Sequence, residues 1–115
     1  MPNMPTAAPR LRTLKLHASE RSVVVKAMAH PTRLLIMEAL MMQGECCVNE
    51  LTDMAGCDIT TLSKHLAVMK RAGLLVCEKR GLNVYYQIAC PCFPEFFRCI
   101  DLVIRAGRKN LRCAC

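Results

Sequence analysis

Apolar residues recur along this chain at two different periods, and the change of period divides it. Residues 19–28 place Val23, Val24, Ala27 and Met28 on one face of a helix. His30-Pro31-Thr32 interrupts that pattern. Pro31 suits the first position of a second helix over 31–42, because its ring presets a helical φ and the amide it lacks would have no partner there. Leu34, Leu35, Met37, Leu40 and Met41 form the inner face of this helix, and Gly44 ends it. A short helix over 47–54 turns Val48 and Leu51 inward, and Gly56-Cys57 makes the following turn. Asp58 is placed as an N-cap whose carboxylate accepts from the amide of Thr60 or Thr61. The helix behind it, over 59–71, carries Ile59, Leu62, Leu66 and Met69 at spacings of three and four, and Gly73 stops it.

The period then shortens. Two β-rich runs, Leu75-Val76-Cys77 and Val84-Tyr85-Tyr86-Gln87-Ile88, flank the charged, glycine-containing stretch 78–83 and predict a hairpin. After Cys90-Pro91-Cys92 a last helix begins near Pro94, with Phe96, Phe97, Ile100, Leu102, Val103 and Ile104 on it. The predicted class is mainly α with a β-hairpin wing. Pro2, Pro5 and Pro9 mark residues 1–15 as a flexible arm, 16–110 as the folded domain, and 111–115 as a cysteine-containing tail.

Composition narrows the function. The 115 residues are 53% apolar, enough for one ordered domain and no second. Sixteen basic against nine acidic residues give a net charge of +7, which suits an anionic partner, nucleic acid or membrane surface. No apolar run approaches the ~18 residues of a membrane span, no strongly basic amphipathic helix favours the membrane surface, and residues 1–9 carry no apolar signal core. The expectation is a cytoplasmic chain whose nine cysteines are reduced: small buried hydrophobes, soft metal ligands or redox switches. No nucleophile–base pair, phosphate loop or Cys-x-x-Cys beside a βαβ pattern points to catalysis, so an enzyme is not expected.

A short helix, a tight turn and a capped second helix make a helix-turn-helix, whose second helix offers its N-terminal residues to base edges in the major groove. Here those residues are Thr60, Thr61, Ser63, Lys64 and His65, polar and off the apolar stripe. Lys64, Lys70 and Arg71 are candidates for phosphate contacts, and Lys79 and Arg80 stand at the hairpin tip where a wing reaches the backbone or minor groove. The same residues would also serve as an ordinary solvated face. The hairpin and the basic charge favour DNA.

Several segments together resemble the ArsR/SmtB family of metal- and metalloid-responsive repressors. They are 29–34 (Ala-His-Pro-Thr-Arg-Leu), 48–51 (Val-Asn-Glu-Leu), 62–66 (Leu-Ser-Lys-His-Leu), 71–75 (Arg-Ala-Gly-Leu-Leu), Lys79-Arg80-Gly81 and Val84-Tyr85-Tyr86. The resemblance implies a winged helix-turn-helix homodimer, paired through its first and last helices. Such a dimer sits on a palindromic operator and represses until an inducer binds.

Zinc-sensing members of that family carry Asp-x-His in the last helix. Here Leu102 and Val103 follow Asp101, and no histidine occurs after His65. One arsenical-sensing branch carries Cys-Val-Cys in its third helix. Cys47 matches the first cysteine, Asn49 replaces the second, and Cys46 adds an adjacent thiol, so Cys46 and Cys47 are a second-choice site. The first choice is Cys90, Cys92 and Cys99. Three thiolates without a nearby histidine suit three-coordinate trivalent arsenic, and suit four-coordinate zinc less well. In the competing picture Cys90 merely ends a strand and Cys99 packs in the core. The expected inducer is arsenite or another thiophilic ion such as cadmium or lead, with a thiol redox or persulfide sensor as the alternative. Cys113 and Cys115 either complete a site or belong to the tail.

Overall fold

A computed structural model describes residues 10–109; the expectations for 1–9 and 110–115, Cys113 and Cys115 among them, fall outside the described residues. Its elements follow in the order α1 (Leu11–Met28), α2 (Pro31–Gln43), β1 (Cys46–Cys47), α3 (Val48–Ala55), α4 (Ile59–Arg71), β2 (Leu75–Arg80), β3 (Asn83–Ile88) and α5 (Phe93–Lys109). This is a winged helix-turn-helix, mainly helical with an antiparallel hairpin.

Local chemistry sets most boundaries. Pro31 opens α2, and the His30 ring caps it by accepting from the Thr32 amide through Nδ1 at 3.1 Å. Glu50 reaches back from α3 to accept from the Cys47 amide at 3.0 Å. Gly56 closes α3 in the left-handed conformation, which turns the chain sharply into α4. Asp58 then caps α4 by accepting from the Thr61 amide at 3.4 Å, one of the two partners expected. In the hairpin, Leu75 pairs with Ile88 and Arg80 with Asn83, leaving Gly81-Leu82 as a two-residue turn with Gly81 at φ 62°.

The core lies where α2, α3 and α4 meet the base of the sheet. Ile36, Met37 and Leu40 of α2, Leu51 of α3, and Leu62, Leu66 and Met69 of α4 are fully buried, joined by Cys46, Leu74 and Leu75. No side chain of a polar or charged residue is buried among the described residues. By contrast, α1 contributes only Ala27 and Met28 to the core, with Val24 partly buried beside them. From α5 only Phe93 and Phe97 pack onto the core. The two outer helices project from the core.

Four expectations need correction. The first helix begins at Leu11, not near residue 19, so residues 11–15 are helical. Leu11, Leu14 and Leu16 are exposed on this helix, so among the described residues no packing marks its start. Cys47 is the N-cap of α3, not its first residue, and with Cys46 it forms a third strand. That strand pairs Cys46 with Tyr86 and Cys47 with Tyr85, giving the sheet order β1-β3-β2. Ile59, expected on the buried stripe of α4, is exposed in its first turn. Leu35, expected on the inner face of α2, is also exposed. Among the described residues no helix is long and apolar enough to cross a membrane.

Leu66, 1% exposed at the centre of this packing, anchors α4. Replacing it by alanine is expected to lower the unfolding free energy by about 2–5 kcal/mol in urea titration. Leu82→Ala at the hairpin tip, where the side chain is 100% exposed, should change stability by less than about 0.5 kcal/mol.

Candidate nucleic-acid interface and thiol sites

Burying Leu62, Leu66 and Met69 fixes the rotation of α4 about its axis. At about 100° per residue, Thr60, Thr61, Ser63 and Lys64 are carried to the other side, and all four are exposed. They form a short polar surface at the N-terminal end of the helix, beside the Gly56 turn.

His65 does not join that surface. Its ring is half-buried, its Nδ1 accepts from Arg33 Nε at 2.9 Å, and its centroid lies 4.5 Å from that of His30. Arg33 also reaches the Ala27 carbonyl at 3.4 Å, so one guanidinium ties the end of α1 to the middle of α4. Burial, followed by the charges of His30 and Arg33, pushes the His65 pKa down. A neutral ring is what an acceptor for Arg33 requires. Within the protomer this side chain is turned to Arg33 and His30.

The other basic candidates separate into two kinds. Lys64 and Lys79 are exposed. Lys70, about 16 Å along α4 from Ile59 at the helical rise, stands beside Cys77 of β2. The Cys77 thiol, with a smaller effect from Tyr86, raises its pKa. Arg80 is engaged within the protein. Its guanidinium donates to both carboxylate oxygens of Glu45, at 2.6 and 2.9 Å, and to Glu78 at 3.2 Å, and lies 4.8 Å over the Tyr85 ring. Glu45 accepts from Gln87 as well, at 2.8 Å, and Arg80 followed by Gln87 holds its carboxyl below the usual range. Arg80 thus ties the wing to the chain entering β1, and sequence spacing gives no hint of a pair 35 residues apart.

The thiols are distributed unevenly. The sulfurs of Cys90 and Cys92 are bonded to each other where β3 gives way to α5, with their Cα atoms 5.5 Å apart. Cys99 is exposed. Phe93 and Phe97 turn the inner face of α5 to the core, and Cys99 lies about 200° around the helix from Phe97. Among the described residues no three of the His, Cys, Asp and Glu side chains gather closely enough to hold a metal ion. Cys90 and Cys92 are therefore brought together, and Cys99 is not. Cys46 is fully buried and donates to Gln43 Oε1 at 3.3 Å; burial, then Glu50, pushes its thiol pKa up, which disfavours the thiolate a metal needs. Cys47 is half-buried beside it, while Cys57 packs against the core and Cys77 lies in the wing.

The pattern defining the family described as "Bacterial regulatory protein, arsR family" matches residues 30–76. The chain is 30% identical over 101 residues to the biofilm growth-associated repressor of Agrobacterium fabrum, covering 88% of this chain and 86% of that protein. It is 31% identical to the arsenic resistance transcriptional regulator ArsR1 of Pseudomonas putida, over 72% of this chain and 62% of the other. Among solved structures it is similar to a homodimeric winged helix-turn-helix DNA-binding domain from Mycobacterium bovis. That match has a TM-score of 0.72 and 29% identity, over 90% of this chain and 94% of that one.

The His65 environment predicts a pH dependence. Its folded pKa lies below the ordinary value, so as pH falls the unfolded chain takes up the proton first. The resulting stability is complete above about pH 6.5 and is lost as pH falls from there toward the folded value. Glu45, Glu50 and Asp58, all held below their ordinary values, remain ionised through that window. His65→Gln keeps an acceptor for Arg33 and removes the titration. Thermal melts between about pH 7 and 5.5 should show a flatter decline for this variant than for the parent, and equal declines would remove His65 as the cause.

Proposed function

The chain belongs to the ArsR family of bacterial transcriptional regulators, and we propose that it is a homodimeric repressor released from a palindromic operator by a thiophilic ion, arsenite, at Cys90 and Cys92. The adjacency of those two sulfurs at the junction of wing and α5 is the observation that carries this reading. In the reduced protein they supply two soft thiolates from one short segment, a donor set suited to trivalent arsenic. Cys99, in α5 about 9 Å further along the axis than Phe93 at the helical rise, completes the set in this reading when the ion draws the 90–92 loop onto the helix. Similarity to a relative named for arsenic resistance agrees with the choice of ion.

Thr60, Thr61, Ser63 and Lys64 read the operator in this proposal, with Lys70 and Lys79 against phosphates. His65 and Arg80, expected among the contacts, act by holding α4 and the wing in place. Dimerisation through the first and last helices is supported by apolar side chains that the protomer leaves exposed on them. These include Leu11, Leu14 and Leu16 on α1, and Phe96, Leu102 and Val103 on α5, Val103 being 70% exposed. Because α5 would then be both dimer contact and neighbour of the thiols, occupation of Cys90 and Cys92 would shift the two recognition helices relative to each other. Coupling of this kind is typically worth about 1–3 kcal/mol.

A second reading is favoured by the bond between the same two sulfurs. Oxidation of the dithiol by a peroxide would form the disulfide, removing two electrons and two protons and releasing water. Cys99 takes no part in that step, which separates the two readings. Operator binding followed by fluorescence anisotropy, with arsenite under reducing conditions, is expected to show release for the parent. Cys90→Ser, Cys92→Ser and Cys99→Ser should each bind operator and fail to respond. Peroxide release retained by Cys99→Ser, without any arsenite release of the parent, would select the redox reading. Arsenite release of the variant with serine at all three positions, equal to the parent's, would overturn the arsenite site at Cys90 and Cys92 and turn attention to Cys46 and Cys47.

A further inference from the structure

We propose that the protein has a second effector site, a cavity between α1 and α4 that takes a small organic carboxylate with an apolar body. The cavity is about 430 Å³, within the range of small-molecule sites. Three of the side chains lining it are cations, one from each of three helices: Lys26 of α1, Arg33 of α2 and Arg71 of α4. The remaining lining is apolar and small, Val23 and Ala27 on one wall and Val68 and Ala72 on the other.

The charges around this space are uncompensated. No carboxylate lines it, and none of the three cations forms an ion pair among the described residues, where the ion pairs all belong to Arg80. Two of the cations are also held in place. Arg33 is fixed through Nε on His65 and Nη1 on the Ala27 carbonyl, and Arg71 donates Nε to the Ala67 carbonyl at 3.3 Å. Each guanidinium has five N–H donors, so several remain on both for an incoming acceptor. Three like charges drawn around an apolar pocket repel one another, and a carboxylate between them relieves that repulsion with charge-assisted, fork-shaped hydrogen bonds. The apolar walls select against a bare inorganic anion, which would gain nothing from Val23 and Val68. A hydrocarbon or aromatic body is what those walls would bury.

The location distinguishes this cavity from the DNA surface and from the thiols. Arg71 ends α4, about 18 Å along the axis from Ile59 at the helical rise, whereas Thr60–Lys64 lie at the other end. One wall belongs to α1 and the other to α4, so an occupant bridges those helices. Binding itself does not depend on the thiol reading above.

Octanoate is a suitable probe for calorimetric titration of the full-length protein in the absence of DNA, with octanol as its uncharged counterpart. The expected result is saturable binding of one octanoate per protomer and none of octanol over the same range. Arg71→Gln and Lys26→Gln should each weaken octanoate about 10–100-fold, the effect of losing a charge-assisted bond, with circular dichroism spectra matching the parent's. Absence of saturable octanoate binding would overturn the proposal. So would equal affinity in both variants, which would put the ligand on another apolar face. Loss of operator affinity in Arg71→Gln, with no octanoate binding by the parent, would assign the cations to DNA phosphates instead.

Discussion

The burial of Leu62, Leu66 and Met69 is the constraint on which the rest of this molecule depends. These three residues are the contribution of α4 to a core otherwise built from α2, α3, the end of α1 and the base of the sheet. Once they are buried the helix has a single rotational setting. Thr60, Thr61, Ser63 and Lys64 must then face outward, His65 must meet Arg33, and Val68 and Arg71 must face α1. The polar surface, the internal contact and the cavity wall are three sectors of one helix, each placed by the fourth.

Arg33 connects those sectors. It sits in the first turn of α2, yet it reaches the last turn of α1 through Ala27 and the centre of α4 through His65. The neutral state of His65 keeps that connection intact, so the position of α4 is linked to proton concentration as well as to packing. Glu45 and Arg80 do the same for the wing, tying β2 to the segment that enters β1. Residues that look like DNA contacts by their charge and position can thus serve as internal struts.

Much of this architecture was legible in the sequence because local rules produced it. The spacing of Leu62, Leu66 and Met69, the Asp58 cap, Pro31 at a helix start and Gly81 in a two-residue turn each act within a few residues. What escaped was non-local. Strand β1 is two residues long and has no period of its own; its pairing with Tyr85 and Tyr86 comes from a strand nearly forty residues away. The early start of α1 leaves no mark in the apolar pattern because the side chains of its first turns are exposed among the described residues. The internal partners of His65 and Arg80, namely His30, Arg33 and Glu45, lie more than thirty residues away in sequence, so spacing gives no sign of them. The adjacency of Cys90 and Cys92 was readable from a spacing of two. The position of Cys99 depended on which face of α5 meets the core, and Phe93 and Phe97 decide that.

In the proposed repressor the exposed face of α4 engages DNA while its buried face holds the fold. The decisive measurement is the salt dependence of operator affinity for Lys64→Ala, compared with the parent. Lys64 is exposed and takes no part in the core. If its ammonium neutralises a phosphate, the variant should remain folded, bind more weakly, and show a slope of log affinity against log salt smaller by about 0.9. An unchanged affinity with an unchanged slope would contradict the account and leave α4 without its assigned role.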